Sequence, residues 1–153
     1  MTRQRITEGS ILEININDKY YCYAQILKNA NYAFFNYKSE KKLKDFSCLT
    51  KAPILFVVAV YKSIITKGRW IKVGKMTIRE ELKVLPMKFI QDSLDPQRFK
   101  IYDPNTGEIK KSTRNECVGL ECAAVWEAEH VEDRIADFYE DKPNKWVEQL
   151  SIK

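Results

Sequence analysis

The chain has one histidine, five glycines and no apolar run longer than the eight residues from Ile54 to Tyr61. Each shortage excludes a class of function. A helix that crosses a bilayer needs about 20 apolar residues, so no helical membrane span is expected. The opening Met1-Thr2-Arg3-Gln4-Arg5-Ile6-Thr7-Glu8 is followed by no apolar stretch of signal-peptide type, and a cytoplasmic location is expected. The few glycines form neither G-x-G-x-x-G nor G-x-x-x-x-G-K-[ST], so no phosphate cradle is expected. His130 is the only imidazole available to activate a serine or cysteine, and no HExxH or deaminase signature surrounds it. At the start of a helix it reads as a solvated polar residue or as a side-chain contact at the helix N-terminus. Of four cysteines (Cys22, Cys48, Cys117, Cys122) the only close pair is Cys117-x₄-Cys122, which is not zinc-finger spacing. Reduced, mostly buried thiols are expected, with no metal, cofactor or disulfide. The acid pairs Glu129/Asp133 and Glu132/Asp133 lie close on a helix surface, where solvated charge is the ordinary outcome. No catalytic centre is expected, so binding is the expected role.

What the chain does have is charge, unevenly placed. Residues 1–75 carry 14 Lys/Arg and 5 Asp/Glu, net +9, and residues 76–153 carry 12 and 16, net −4. Between Glu116 and Glu148 ten acids face only Arg134, Lys142 and Lys145, net −7. Such a dipole bears on partners and association rates rather than on fold.

At 153 residues the chain fits one domain (1–153), with no linker or repeat. The alternation of Leu12, Ile14 and Ile16 predicts a strand with one buried face, turning at Asn17-Asp18 into a second strand over Lys19 to Leu27. Tyr21, Tyr23 and Gln25 fall on one side of that strand, and Tyr20, Cys22, Ala24 and Ile26 on the other. A turn at Asn29-Ala30-Asn31 leads to a third strand, Tyr32 to Tyr37, completing an N-terminal β-meander. Lys38 to Thr50 is either a loop or a short helix with Leu43, Phe46 and Leu49 inward. Ile54 to Tyr61, β-branched and preceded by Pro53, reads as a central strand covered on both faces. Arg69 to Val73, between Gly68 and Gly74, reads as an edge strand. Thr77 and Glu80 have capping-box spacing and predict a short helix over Ile78 to Leu85. Phe99 to Tyr102 and Glu108 to Ser112 form a small hairpin, and Leu120 to Trp126 leans towards β. Val131, Ile135 and Phe138 at helical spacing, with Tyr139 alongside, predict an amphipathic C-terminal helix over Ala128 to Tyr139 with an acidic outer face. The class is therefore α+β, with a mostly antiparallel sheet for which closure into a barrel stays open.

Seven aromatic residues on the first three strands (Tyr20, Tyr21, Tyr23, Tyr32, Phe34, Phe35, Tyr37) lie beside a lysine cluster, as in a base-stacking platform. Strand alternation turns about half of such rings into a core, and no RNP, KH or zinc-finger motif accompanies them. Nucleic-acid binding therefore ranks second.

Several pieces, in this order along the chain, resemble the immunity protein 26 family of bacterial polymorphic-toxin systems. They are Ile6-Thr7-Glu8-Gly9-Ser10-Ile11-Leu12-Glu13-Ile14, then Tyr21-x-Tyr23-Ala24-Gln25-Ile26-Leu27, Trp70-Ile71-Lys72-Val73-Gly74 and Pro86-x-x-Phe89. Gly119-Leu120-Glu121-Cys122-Ala123-Ala124-Val125-Trp126 and His130-Val131-Glu132-Asp133-Arg134-Ile135 follow, with Trp146 beyond. The resemblance implies a cytoplasmic, non-enzymatic protein that binds a cognate toxin domain and blocks it. It carries over no partner-contacting residues, and this chain is net basic where many of those proteins are acidic. Charge supplies two candidate docking faces. One is the acidic helix, with Glu127, Glu129, Glu132, Asp133, Asp137, Glu140 and Asp141, suited to a basic toxin surface. The alternative is Tyr37, Lys38, Lys41, Lys42 and Lys44, suited to an acidic one.

Overall fold

The computed structural model describes residues 3–153. Strands β1 (Ser10–Ile16), β2 (Tyr20–Ile26) and β3 (Asn31–Ser39) form the expected antiparallel meander. Its turns lie where the sequence places them. Asn17 and Asp18 have φ of 53° and 58°, and Asn29 and Ala30 have 54° and 60°. Two consecutive positive-φ residues make the tight turn whose twist matches that of the flanking strands. β4 (Ile54–Val60) pairs with β3, and β5 (Ile71–Lys75) lies on the outer side of β1. Two-residue β10 (Val125–Trp126) runs parallel to β4, giving an open six-stranded sheet of order β10-β4-β3-β2-β1-β5. Its end strands β10 and β5 do not meet, so the barrel alternative is set aside.

A second, four-stranded sheet holds β6 (Lys88–Gln91), β7 (Phe99–Tyr102), β8 (Ile109–Ser112) and β9 (Glu121–Cys122), in the order β8-β7-β6-β9. The segment expected to lean towards β is thus split. Glu121-Cys122 joins one sheet and Val125-Trp126 the other, with Ala123-Ala124 crossing between them. Short helices α1 (Lys62–Thr66) and α2 (Arg114–Cys117), the latter capped by Thr113, precede α3 (Ala128–Tyr139) and α4 (Lys145–Gln149).

Burial departs from the expected single buried face. One face of the large sheet (Leu12, Ile14, Ile16, Cys22, Ala24, Ile26) packs beneath α3. The other face is covered too, by the 40–53 loop over Ile11, Tyr23 and Phe35, and by Leu82 and Leu85 over Leu27, Ala33 and Val57. Of the segment Lys38 to Thr50, Lys38 and Ser39 extend β3, and the remainder is the loop of the first reading apart from one 3₁₀ turn, Ser47–Leu49, with Leu49 buried and Leu43 and Phe46 partly so. Gly74 marks a close approach, because a Cβ there would lie 2.6 Å from the Phe46 ring.

The predicted Ile78 to Leu85 helix is only a 3₁₀ turn, Glu80–Leu82, with Arg79 rather than Thr77 at its start and no side-chain cap. Tertiary contacts override the capping pattern. Asn105 clamps the backbone of Leu85 from both sides, accepting from its N–H at 2.7 Å and donating to its carbonyl at 2.9 Å. The N–H is the group that bonding back to Glu81 would need in a helix over this span.

Candidate functional site

α3 has the predicted bounds, and Val131 and Ile135 are buried, but Phe138 is not. Ala128, Val131, Ile135 and Ala136 are the buried set, and at 3.6 residues per turn they point the inward face towards Tyr139. Phe138 lies about a quarter turn off that direction and is 52% exposed. Tyr139 takes the inner place, donating its hydroxyl to Asn36 Oδ1 at 2.9 Å and meeting the Tyr20 ring edge-on at 5.8 Å.

The seven acids of the predicted face divide into two groups. Glu132 accepts from the indole of fully buried Trp70 at 2.9 Å and from two nitrogens of Arg69, at 2.8 and 3.2 Å. The same guanidinium reaches Glu129 at 3.1 Å. The carboxyl of Glu129 is held below the usual carboxylate range, first by its own backbone N–H in the opening turn of the helix and then by Arg69. Asp133 accepts from Trp146 Nε1 at 3.0 Å, and Asp137 accepts from the Asn144 amide at 2.9 Å. Asn144 in turn caps α4 through Val147 N–H at 2.9 Å. Glu132, Asp133 and Asp137 therefore attach α3 to its neighbours. Glu127, Glu129, Glu140 and Asp141 are exposed, and among the described residues Glu140 pairs with Lys142 alone, at 3.2 Å.

Of the two readings of His130, the side-chain contact is the one the structure has. Its ring lies flat against Trp146 at 3.4 Å between centroids. At the same end of α3, Glu127 and Glu129 line a shallow cleft of about 390 Å³ with Tyr61, Lys67 and Arg69.

The lysine patch is less tied down. Lys38, Lys41, Lys42 and Lys44 are exposed and make no ion pair among the described residues. Lys42 stands 5.8 Å from the Tyr21 ring, and Tyr37 packs half-buried against the Ile11–Tyr23–Phe35 cluster. Lys38 places its ammonium 4.9 Å from each of the Tyr20 and Tyr139 rings. This contact joins the two charged faces that the sequence set against each other. Phe138, Tyr139, Tyr20 and cationic Lys38 thus cluster at the end of α3, with acidic Glu140 and Asp141 next in the chain. No sequence signal pairs them, because Tyr20 and Tyr139 are neighbours only in the fold.

Of the seven aromatics considered for base stacking, Tyr23, Tyr32, Phe34 and Phe35 are fully buried. Burial pushes the Tyr32 hydroxyl up to about 12. Only Tyr20, Tyr21 and Tyr37 retain partial exposure, too few for a stacking platform of the proposed kind.

Against known protein families, the model for immunity protein 26 matches residues 7–100. The matched span runs from just before β1 into β7 and ends ahead of α3. No curated protein and no solved structure matches the chain.

Proposed function

The chain belongs to the immunity protein 26 family, and we propose that it binds and neutralises a cognate bacterial toxin domain, with residues 1–153 acting as one domain. The role is stoichiometric inhibition, which requires no catalytic group and no cofactor.

We place the docking surface at the C-terminal end of α3. The observation that carries this is Phe138, a large apolar ring 52% exposed and packed edge-on against Tyr139, whose own ring meets Lys38 and which Glu140 and Asp141 follow in the chain. Aromatic residues surrounded by charge are the usual anatomy of an interface hot spot. The charges on either side would steer encounter, and the ring would supply residence time. Glu132, Asp133 and Asp137 are assigned to holding the helix, and the exposed acids Glu127, Glu129, Glu140 and Asp141 to steering, Glu129 and Glu140 doing so from exposed ion pairs with Arg69 and Lys142.

Binding kinetics against the toxin domain test the assignment. Phe138→Ala is expected to raise the dissociation rate by roughly tenfold or more, equivalent to losing a hot-spot side chain. Glu140→Lys with Asp141→Lys is expected to slow association and flatten its salt dependence. Unchanged kinetics in both variants exclude this surface. The nucleic-acid alternative is tested by a gel-shift titration across salt concentrations, in which no complex is expected.

A further inference from the structure

A second candidate site lies away from α3, between the two sheets. A cleft of about 440 Å³ is lined by Ala59 of β4, Ile90 of β6, Tyr102 of β7 and Ala123 to Val125, with the Asn29–Asn31 turn along one side. That volume is in the range of small-molecule sites. One charged residue lines it. Lys88, on β6, is only 3% exposed, and its ammonium makes one long hydrogen bond, 3.4 Å to the carbonyl of Val57. The nearest acid in sequence register is Glu121, its partner across the β6–β9 ladder. Glu121 is already held by both terminal nitrogens of Arg134, at 3.0 and 2.7 Å. Asn31, also 3% exposed and lining the same cleft, has a side-chain carbonyl with no donor among the described residues.

A buried, nearly unpartnered cation costs stability, and a chain with 26 lysines and arginines does not need this one for solubility. Its environment also opposes protonation, mainly through desolvation. Groups that fold at such a cost are concentrated at binding sites. We propose that this cleft binds a small monocarboxylate with an apolar body, whose carboxylate pairs with the Lys88 ammonium while its body lies against Ala59, Ile90, Ala124 and Val125. A single cation does not balance a polyphosphate, and the alanine and valine side of the cleft offers a sugar few hydrogen-bond partners. A carboxylate with a short alkyl or phenyl body matches both the single cation and the apolar lining. The inference goes beyond the docking reading and stands independently of it.

The test is an amide-shift titration of the full chain, by ¹H–¹⁵N NMR, with butyrate, hexanoate and benzoate and with hexanamide and benzamide as neutral controls. At least one carboxylate is expected to give saturable shifts at Ala59, Ile90 and Ala124, with its amide counterpart weaker. Lys88→Met keeps the stem and removes the charge, and is expected to weaken that carboxylate roughly tenfold to a hundredfold while leaving the amide unchanged. Ala124→Trp, which fills the cleft and keeps Lys88, is expected to abolish both. The proposal is overturned if none of the three carboxylates saturates, if Lys88→Met binds as tightly as the unaltered chain, or if the shifts map to Lys38–Lys44 instead.

Discussion

Arg134 is the side chain on which the junction of α3 with both sheets most depends, and its removal gives the sharpest stability prediction. Its two terminal nitrogens grip Glu121 of β9 at 3.0 and 2.7 Å, and its guanidinium lies 3.8 Å from the centroid of Phe56 and 5.1 Å from that of Trp126. One residue thus connects α3, the second sheet through β9, and the first sheet through β4 and β10. Arg134→Met preserves the apolar stem and deletes the planar fork. Breaking a fully buried ion pair by removing one partner costs about 3–5 kcal/mol, and a desolvated cation–π contact adds about 2 kcal/mol. The pair is not fully buried, with side-chain exposures of 15% and 31%. Water can therefore resolvate part of Glu121, which lowers the expected loss to about 2–4 kcal/mol. For a chain of this length that is a drop in Tm of roughly 5–15 °C. Urea unfolding of Arg134→Met, Glu121→Gln and the double variant measures it, with a coupling of about 1–3 kcal/mol expected between the two sites. A single-variant loss below about 0.5 kcal/mol, or strict additivity, would refute the assignment of Arg134 as the tie.

Lys88→Met should be more stable than the unaltered chain at neutral pH, because it removes a desolvated cation. The advantage should shrink as pH rises towards the ordinary lysine value of 10.5, since burial lowers the folded pKa and the unfolded chain binds the extra proton in that window. Glu121 and Cys122 on β9 favour the charged form and Arg134 on α3 opposes it, and a pH-independent difference in urea midpoints would contradict this reading. Ala30→Gly should stabilise by about 0.5–1 kcal/mol, because Ala30 has φ of 60° in its turn and glycine adopts that region without a Cβ penalty; a destabilised variant in thermal melts would count against it. Gly74→Ala should destabilise by about 1–3 kcal/mol, since its Cβ would fall 2.6 Å from Phe46 and displace the ring. Gly74→Ala combined with Phe46→Leu should recover part of that loss, and no recovery would exclude the clash as the cause.

Features that depend on neighbours in sequence were legible from it. The meander follows from alternation plus two Asn-led turns, β4 from a β-branched run after Pro53, and α3 from the spacing of Val131 and Ile135. Features set by distant residues were not. Val125-Trp126 pairs with β4 because of where β4 lies, and nothing in two residues announces a parallel strand. The acidic face read as free charge because Arg69 and Trp70 lie some sixty residues before the acids they bind. Phe138 fitted the helical stripe, yet the sheet beneath α3 sets the inward direction and gives that place to Tyr139. Lys88 reads as one more cation in a basic chain, and only burial between two sheets singles it out.

The central claim is neutralisation of a toxin by direct binding, and a combined protection and affinity measurement tests it most directly. A toxin domain captured by this chain from lysate of the producing cell would be expressed in a sensitive bacterium with this chain, with its Phe138→Ala variant, or alone, and the purified pair titrated by calorimetry. The account predicts survival with the unaltered chain, a one-to-one complex, and weaker binding by Phe138→Ala with its fold retained. Absence of both complex and protection, with the chain folded and expressed, would contradict it.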